Sequence, residues 1–233
     1  LGACVRHARE KLGYERVVLA GWSGGGSLSA FYQAEAERPT VRATPAGDPP
    51  DLTAAALVPA DGLMLLAAHV SRARTLTEWL DASIIDEAHP ERRDRSLDLY
   101  DREGPARPPY AADFLQRYRA AQEARNRRIT AWVKERLATL RSEGRPHDEH
   151  CFVVHGTMAD PRWLDPAVDP NDRRPGWCFL GDPRVVNNSP VGLARFCSLR
   201  SWLSQWSLDD SNADSLAALR RVTVPVLVVA NSA

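Results

Sequence analysis

The sequence predicts an α/β fold: a partial, mostly parallel sheet flanked by helices, with a large and mainly helical insertion. Three observations carry that expectation. Apolar runs of strand length recur at residues 16–20, 63–68 and 222–230, the first and last of them β-branched, without the alternation of a half-exposed strand. The first run passes into a glycine-rich turn and then a helix with no spare residue between them. Residues 70–188 show no convincing strand alternation and are dense in Arg, Asp and Pro.

Taken in order, residues 1–12 place Val5, Ala8 and Leu12 at helical spacing, and Gly13 follows as a C-cap. Residues 16–20 read as a buried strand, 21–26 as a tight turn, and 27–37 as a helix with Leu28, Phe31 and Ala34 on one stripe. The Pro- and Ala-rich stretch 38–59 reads as a loop, and 63–68 as a second buried strand entered from Asp61-Gly62. Within the insertion, 111–140 reads as one long helix or two short ones. Leu115 and Tyr118 mark its first part, and Ile129, Trp132, Val133, Leu137 and Leu140 its second. Residues 152–154 suit a short strand, followed by a Pro-, Asp- and Trp-rich loop of the length that belongs to lids and binding surfaces. Ser189-Pro190 has the form of a helix start, predicting a helix to about Trp206 with Leu193, Phe196, Cys197 and Leu203 inward. A short helix at 214–220 and a third buried strand at 222–230 close the chain, Pro225 being tolerated near the strand's beginning. The expected organisation is a core at 1–69, an insertion at 70–188 and the core resumed at 189–233.

The chain has 233 residues, enough for one core with an insertion. Lys+Arg and Asp+Glu each number 30, so no net field recruits nucleic acid or an anionic membrane. No apolar run approaches the ~20 residues of a membrane span. Cys4, Cys151, Cys178 and Cys197 lie far apart and form no C-x-x-C pair, which reads as reduced thiols in a cytoplasmic protein. The chain opens on Leu1 within a helical pattern and closes on Ala233 directly after a strand, so it reads as an internal piece of a longer protein.

Gly21-Trp22-Ser23-Gly24-Gly25 matches G-x-S-x-G, placed between a strand and a helix. A serine pushed out at the tip of such a turn sits in a strained conformation with neighbouring chain close on both sides. Glycines two before and two after it, Gly21 and Gly25, are expected to supply the missing Cβ volume, and Gly26 close helix–strand packing. The helix N-terminus favours a developing oxyanion, with the Gly24 N–H as one donor. A phosphate loop fits worse, since neither G-K-[ST] nor the third glycine of G-x-G-x-x-G is present.

On these residues the chain resembles the α/β-hydrolase superfamily. Residues 17–26 (VVLAGWSGGG) look like that family's fifth strand and nucleophile elbow, 63–68 like its sixth strand, and Val224-Pro225-Val226-Leu227-Val228-Val229 like its seventh. The resemblance implies a cap inserted after the sixth strand, matching 70–188, and catalysis through an acyl-enzyme on Ser23. It also implies a triad acid just after the seventh strand, about where the chain ends, and a histidine after an eighth strand further on. The second oxyanion donor would precede residue 1.

Other candidates have plainer readings beside them. His69 follows the second strand at the edge where open α/β sheets bind ligands; it is a satisfied histidine, a pocket residue or a substitute base. His147-Asp148-Glu149-His150, with His155 nearby, has metal-ligand residue types but follows Gly144-Arg145-Pro146 as a solvated turn would. Asp160, Asp165, Asp169 and Asp172 lack the spacing of an EF-hand and sit beside prolines as caps and turns do. Trp163, Trp177, Trp202 and Trp206 suit either a core or an apolar acyl pocket, with Trp163 and Trp177 the pocket candidates.

The expected function is a serine hydrolase cleaving a carboxylic ester or related acyl bond of a small-molecule substrate, with neither metal nor organic cofactor. Acyl transfer, amide cleavage or lyase chemistry on the same scaffold are the alternatives, as is a binding protein that kept the fold and lost the triad. None of these features specifies an oligomeric state.

Overall fold

The computed structural model describes residues 1–230. In chain order its elements are α1 (Gly2–Glu10), β1 (Val18–Trp22), α2 (Gly24–Glu37), β2 (Gly62–Leu66), α3 (Arg72–Trp79), α4 (Ala112–Ser142), β3 (Cys151–Val153), a 3-10 turn (Pro161–Trp163), α5 (Pro183–Val186), β4 (Phe196–Ser198), α6 (Leu199–Gln205), α7 (Ser215–Leu219) and β5 (Val226–Val229). They form a mixed α/β structure of two compact units, Leu1–Thr75 joined by the chain from Asp210, and Leu76–Asp209. Residues 189–209, expected to resume the first unit's core, belong to the second. Among the described residues no helix is long and apolar enough to cross a membrane.

The first unit holds a parallel sheet in the order β1-β2-β5. Its register pairs Val18 with Gly62 and Trp22 with Leu66 on one side of β2, and Leu63 with Val226 and Leu66 with Val229 on the other. Small residues of α2, Ala30 and Ala34, pack with Leu63 and with Ala218 of α7, while Leu19, Leu219, Val222 and Val224 close the cluster. The three strands fall where apolar runs were read, with two corrections. Of β1, read as a buried strand, only Gly21 is buried, and Val18 and Trp22 are 52% and 73% exposed. β5 is not buried: Leu227 and Val228 are 53% and 62% exposed, because the described helices cover the sheet around Leu63 rather than over β5. The loop after α2 has no regular structure and is held by side chains. Buried Glu35 accepts from the Thr40 and Val41 amides at 2.6 and 2.9 Å and from Arg221 at 2.8 Å. The Gln33 amide meets both backbone groups of Ala60 at 2.9 and 3.0 Å. A buried loop backbone needs such partners.

In the second unit α4 is a single 31-residue helix. Its N-terminal end joins an apolar cluster of Leu97, Leu99, Tyr110, Phe114 and Tyr118. Further along, its buried face turns polar and binds loop backbone. Gln122 donates to the carbonyls of Glu78 and Leu80 at 2.6 and 2.8 Å. Asn126 donates to Thr77 Oγ1 and the Trp206 carbonyl, both at 2.9 Å, and accepts from the Leu208 amide at 3.0 Å. Trp132, read as an inward mark, is 40% exposed.

The helix expected over residues 189–206 is the largest correction. Ser189 closes a turn on the Val186 and Val191 carbonyls, and Gly192 and Ala194 take φ of +151° and +53°, which no helix accommodates. Residues 196–198 instead form β4, antiparallel to β3. The helix begins only at Leu199, where Ser198 and Ser201 make a reciprocal capping box. Phe196, expected inward, is 70% exposed. Two short helices, α3 and α5, were not anticipated; Asp182 caps α5 through the Arg184 amide with Pro183 at its first position.

Candidate active site

β1 ends at Trp22 and α2 begins at Gly24, so Ser23 alone makes the corner. It adopts φ 53°, ψ −125°, a region disfavoured for any residue with a Cβ. Three backbone bonds hold it there. The Ser23 N–H donates to the Leu66 carbonyl at 3.2 Å, and its own carbonyl accepts from Gly26 at 3.1 Å and His69 at 2.9 Å. The corner is therefore pinned to the end of β2 and to the chain that follows it.

The glycines around Ser23 do not share one role. A Cβ on Gly21 would lie 2.6 Å from the Gly25 carbonyl oxygen and 2.7 Å from Gly26 Cα, and one on Gly26 would lie 2.2 Å from Ala68 Cβ. A Cβ on Gly24 would meet Arg72 Nε at 2.4 Å. At Gly25 nothing lies within 4 Å, which corrects the expectation that both flanking glycines are required sterically. Close approach is needed at Gly21, Gly24 and Gly26. Gly21→Ala is accordingly expected to cost about 1–3 kcal/mol of stability through forced backbone displacement. Gly25→Ala should be neutral or stabilising by about 0.4–1 kcal/mol. Urea unfolding of the two variants reads the contrast directly, and equal losses would contradict it.

The Ser23 side chain does not cap α2. The helix N-terminus therefore faces the corner with its first amide, Gly24 N–H, placed beside the nucleophile position. Trp22 is 73% exposed on the preceding strand end. His69 meets Ser23 through its backbone N–H. The imidazole is half-buried. Burial first, and then the neighbouring Arg72 guanidinium, hold its pKa below the ordinary histidine value, so it is neutral at pH 7.

Arg72 is the residue that sequence reading missed. Its Nε–H donates to the Gly24 carbonyl at 3.3 Å, so a guanidinium packs against the candidate oxyanion donor. The signal was present in Ser71, a capping residue type, followed by Leu76 and Trp79 at near-helical spacing; the Ser71 hydroxyl accepts from the Arg74 amide at 3.5 Å.

The structure thus gathers Gly21, Trp22, Ser23, Gly24, Gly25 and His69 in the first unit. Trp163 and Trp177 belong to the second. Trp163 is buried against Met158, Cys178 and Val186, with its ring 5.3 Å from that of Trp79. Trp177 lies 38% exposed beneath the Arg174 guanidinium, 4.6 Å from its ring centroid. Trp202 is core, its indole N–H donating to Thr130 Oγ1 at 2.9 Å.

Among the described residues no group of three or more His, Cys, Asp or Glu side chains is arranged to hold a metal. Asp160 caps the 3-10 turn and pairs with Arg119 at 2.8 Å, while Asp165 and Asp169 accept turn amides at 2.9 and 2.8 Å. Four free cysteines complete the inventory. Burial pushes the Cys197 thiol up to about 12, which leaves it protonated and inert. No family model, curated protein or solved structure matches the chain.

Proposed function

We propose that Ser23 is the nucleophile of a serine hydrolase of α/β-hydrolase fold, acting on a carboxylic ester or related acyl bond. The observation that supports this most is the conformation of Ser23 itself. A serine at φ 53° between a parallel strand and a helix, packed so closely that Gly21 and Gly26 admit no side chain, brings no stability of its own. What the strain achieves is presentation of Oγ at the carboxyl edge of the sheet beside a free helix N-terminus.

In this reading Ser23 Oγ attacks the carbonyl carbon, its proton passing to a histidine base, and the Gly24 N–H stabilises the tetrahedral oxyanion. Arg72, bonded to the Gly24 carbonyl, adds positive potential at the same place. Collapse of that intermediate expels the alcohol and leaves an acyl group on Ser23, which water then removes. The resemblance calls for an orienting acid just after β5 and a histidine further on; residues 230–233, Ala-Asn-Ser-Ala, supply neither. Backbone attachment of His69 to Ser23 favours a pocket-lining role for that imidazole over the role of base.

The test is labelling of the full-length protein with a fluorophosphonate, followed by peptide mass analysis. A single adduct on the Ser23 peptide is expected, absent from the Ser23→Ala variant and from heat-denatured protein. A folded protein that takes no adduct, or labels equally well without Ser23, would move the binding-protein reading to the front.

A further inference from the structure

The second unit contains a buried positive charge with no counter-charge. Arg195 is 9% exposed, and its guanidinium donates only to backbone carbonyls: Val154 at 3.2 Å, Asn187 at 3.0 Å and, weakly, Val186 at 3.5 Å. Among the described residues no carboxylate pairs with it. The acids of this region are engaged elsewhere. Glu87 takes Arg125 bidentately at 2.7 and 2.9 Å and Arg128 at 2.9 Å, and Asp81 takes Arg93 at 2.8 Å and the Asn187 amide at 2.7 Å.

Two polar atoms at the same place are left over. Arg195 Nε and Thr157 Oγ1 are both buried without a hydrogen-bond partner. They converge on Gly192. From the position that a Cβ on Gly192 would occupy, Thr157 Oγ1 lies 2.7 Å away, Arg195 Nη2 3.3 Å and Arg195 Nε 3.7 Å. Gly192 sits at φ +151°, a conformation that keeps a side chain out of this space. Gly192 is only partly buried and His155, two residues before Thr157, is exposed, while Thr157 itself is fully buried.

A bridging water would satisfy the two atoms but would leave the charge unbalanced. Burying a guanidinium without a counter-ion costs several kcal/mol, which an anion offsets and a neutral molecule does not. Burial and the neighbouring Arg125 already push the Arg195 pKa below its ordinary value, and Arg195 and Arg125 both lower that of His155 after burial does.

We propose that Arg195 and Thr157, beneath Gly192, form a binding site for a small oxyanion, one oxygen of which accepts both the Arg195 Nε–H and the Thr157 hydroxyl. The ligand class is a carboxylate or an inorganic oxyanion of similar size, since both present a charged oxygen to two donors. The site is separate from Ser23 and stands whether or not that serine is a nucleophile.

The probes are sodium acetate, sodium phosphate and sodium sulfate, titrated into full-length protein against sodium chloride of matched ionic strength, with thermal melting and calorimetry as readouts. At least one oxyanion should raise the melting temperature beyond the chloride control. Preference for acetate would identify an organic carboxylate as the natural ligand, and preference for phosphate or sulfate an inorganic one. Thr157→Val keeps the volume and removes the hydroxyl; it should weaken that binding about tenfold or more, while the anion-free protein melts no lower than wild type. A second readout needs no variant: the Arg195 Nε–H resonance should move on titration. No oxyanion effect beyond chloride, equal affinity in Thr157→Val, or an unmoved Arg195 resonance would each overturn the site.

Discussion

Replacing Ser23 by glycine is expected to raise the denaturant midpoint of the full-length protein while removing the acyl chemistry proposed for it. Loss of the nucleophile from a serine hydrolase costs on the order of 10⁶-fold in kcat, because the base and oxyanion donors have nothing left to act upon. Stability should move the other way. A side chain held at φ 53°, ψ −125° costs about 1–3 kcal/mol, and glycine removes that cost. Its extra freedom in the unfolded chain returns about 0.5–1 kcal/mol, leaving a net gain of the order of 1 kcal/mol. Ser23→Ala is the control, since alanine loses the hydroxyl but keeps the Cβ and with it the strain. Both variants should be inactive, and only the glycine variant should be stabilised. Equal midpoints would mean that the corner is relaxed by its surroundings, and the functional reading would lose its main support.

Arg125→Met is expected to destabilise the protein by about 3–5 kcal/mol, a large part of the 5–15 kcal/mol that holds a typical domain together. The guanidinium is fully buried within the polar face of α4 and makes five bonds. Two go to Glu87, at 2.9 and 2.7 Å. Three go to the carbonyls of Asp81, Gly156 and His155, at 3.0, 3.1 and 2.6 Å. One side chain thus closes two loops onto the helix. Methionine fills the space but leaves a half-buried carboxylate short of a partner, the His155 carbonyl without its donor, and the Asp81 and Gly156 carbonyls with one backbone donor each. Adding Glu87→Gln should recover only part of the loss, because the His155 carbonyl remains unsatisfied. Urea unfolding of the single and double variants measures both quantities. A loss below about 1 kcal/mol for Arg125→Met would show that water replaces the lost donors and that the loops do not depend on α4.

Those two residues also mark the boundary between what was legible in the sequence and what was not. The strand, corner and helix around Ser23 were readable because each is a local event. A β-branched run extends, glycines permit the turn, and the chain has no length in which to do anything else. Even there the roles of individual glycines were not readable. Whether a Cβ fits at Gly26 or Gly24 depends on Ala68 and Arg72, more than 40 positions away, and on how α2 settles against β2.

The second unit was opaque for a related reason. Its order comes from polar side chains of α4 binding loop backbone, and a buried Gln122, Arg125 or Asn126 looks in sequence like any solvated helical residue. Ser189-Pro190 carries a helix signal as strong as Ser198, and local chemistry cannot choose between them. Pairing of residues 196–198 with β3 decides it, since a strand there leaves Ser198 as the first place where a helix can begin. By itself the sequence placed the strands of the first unit, the serine corner and helix within 111–140, all legible from patterns spanning a few residues. Tertiary structure decided which glycines must be glycine, which polar residues are buried and where the later helix starts, because each depends on atoms that the chain brings together only after folding.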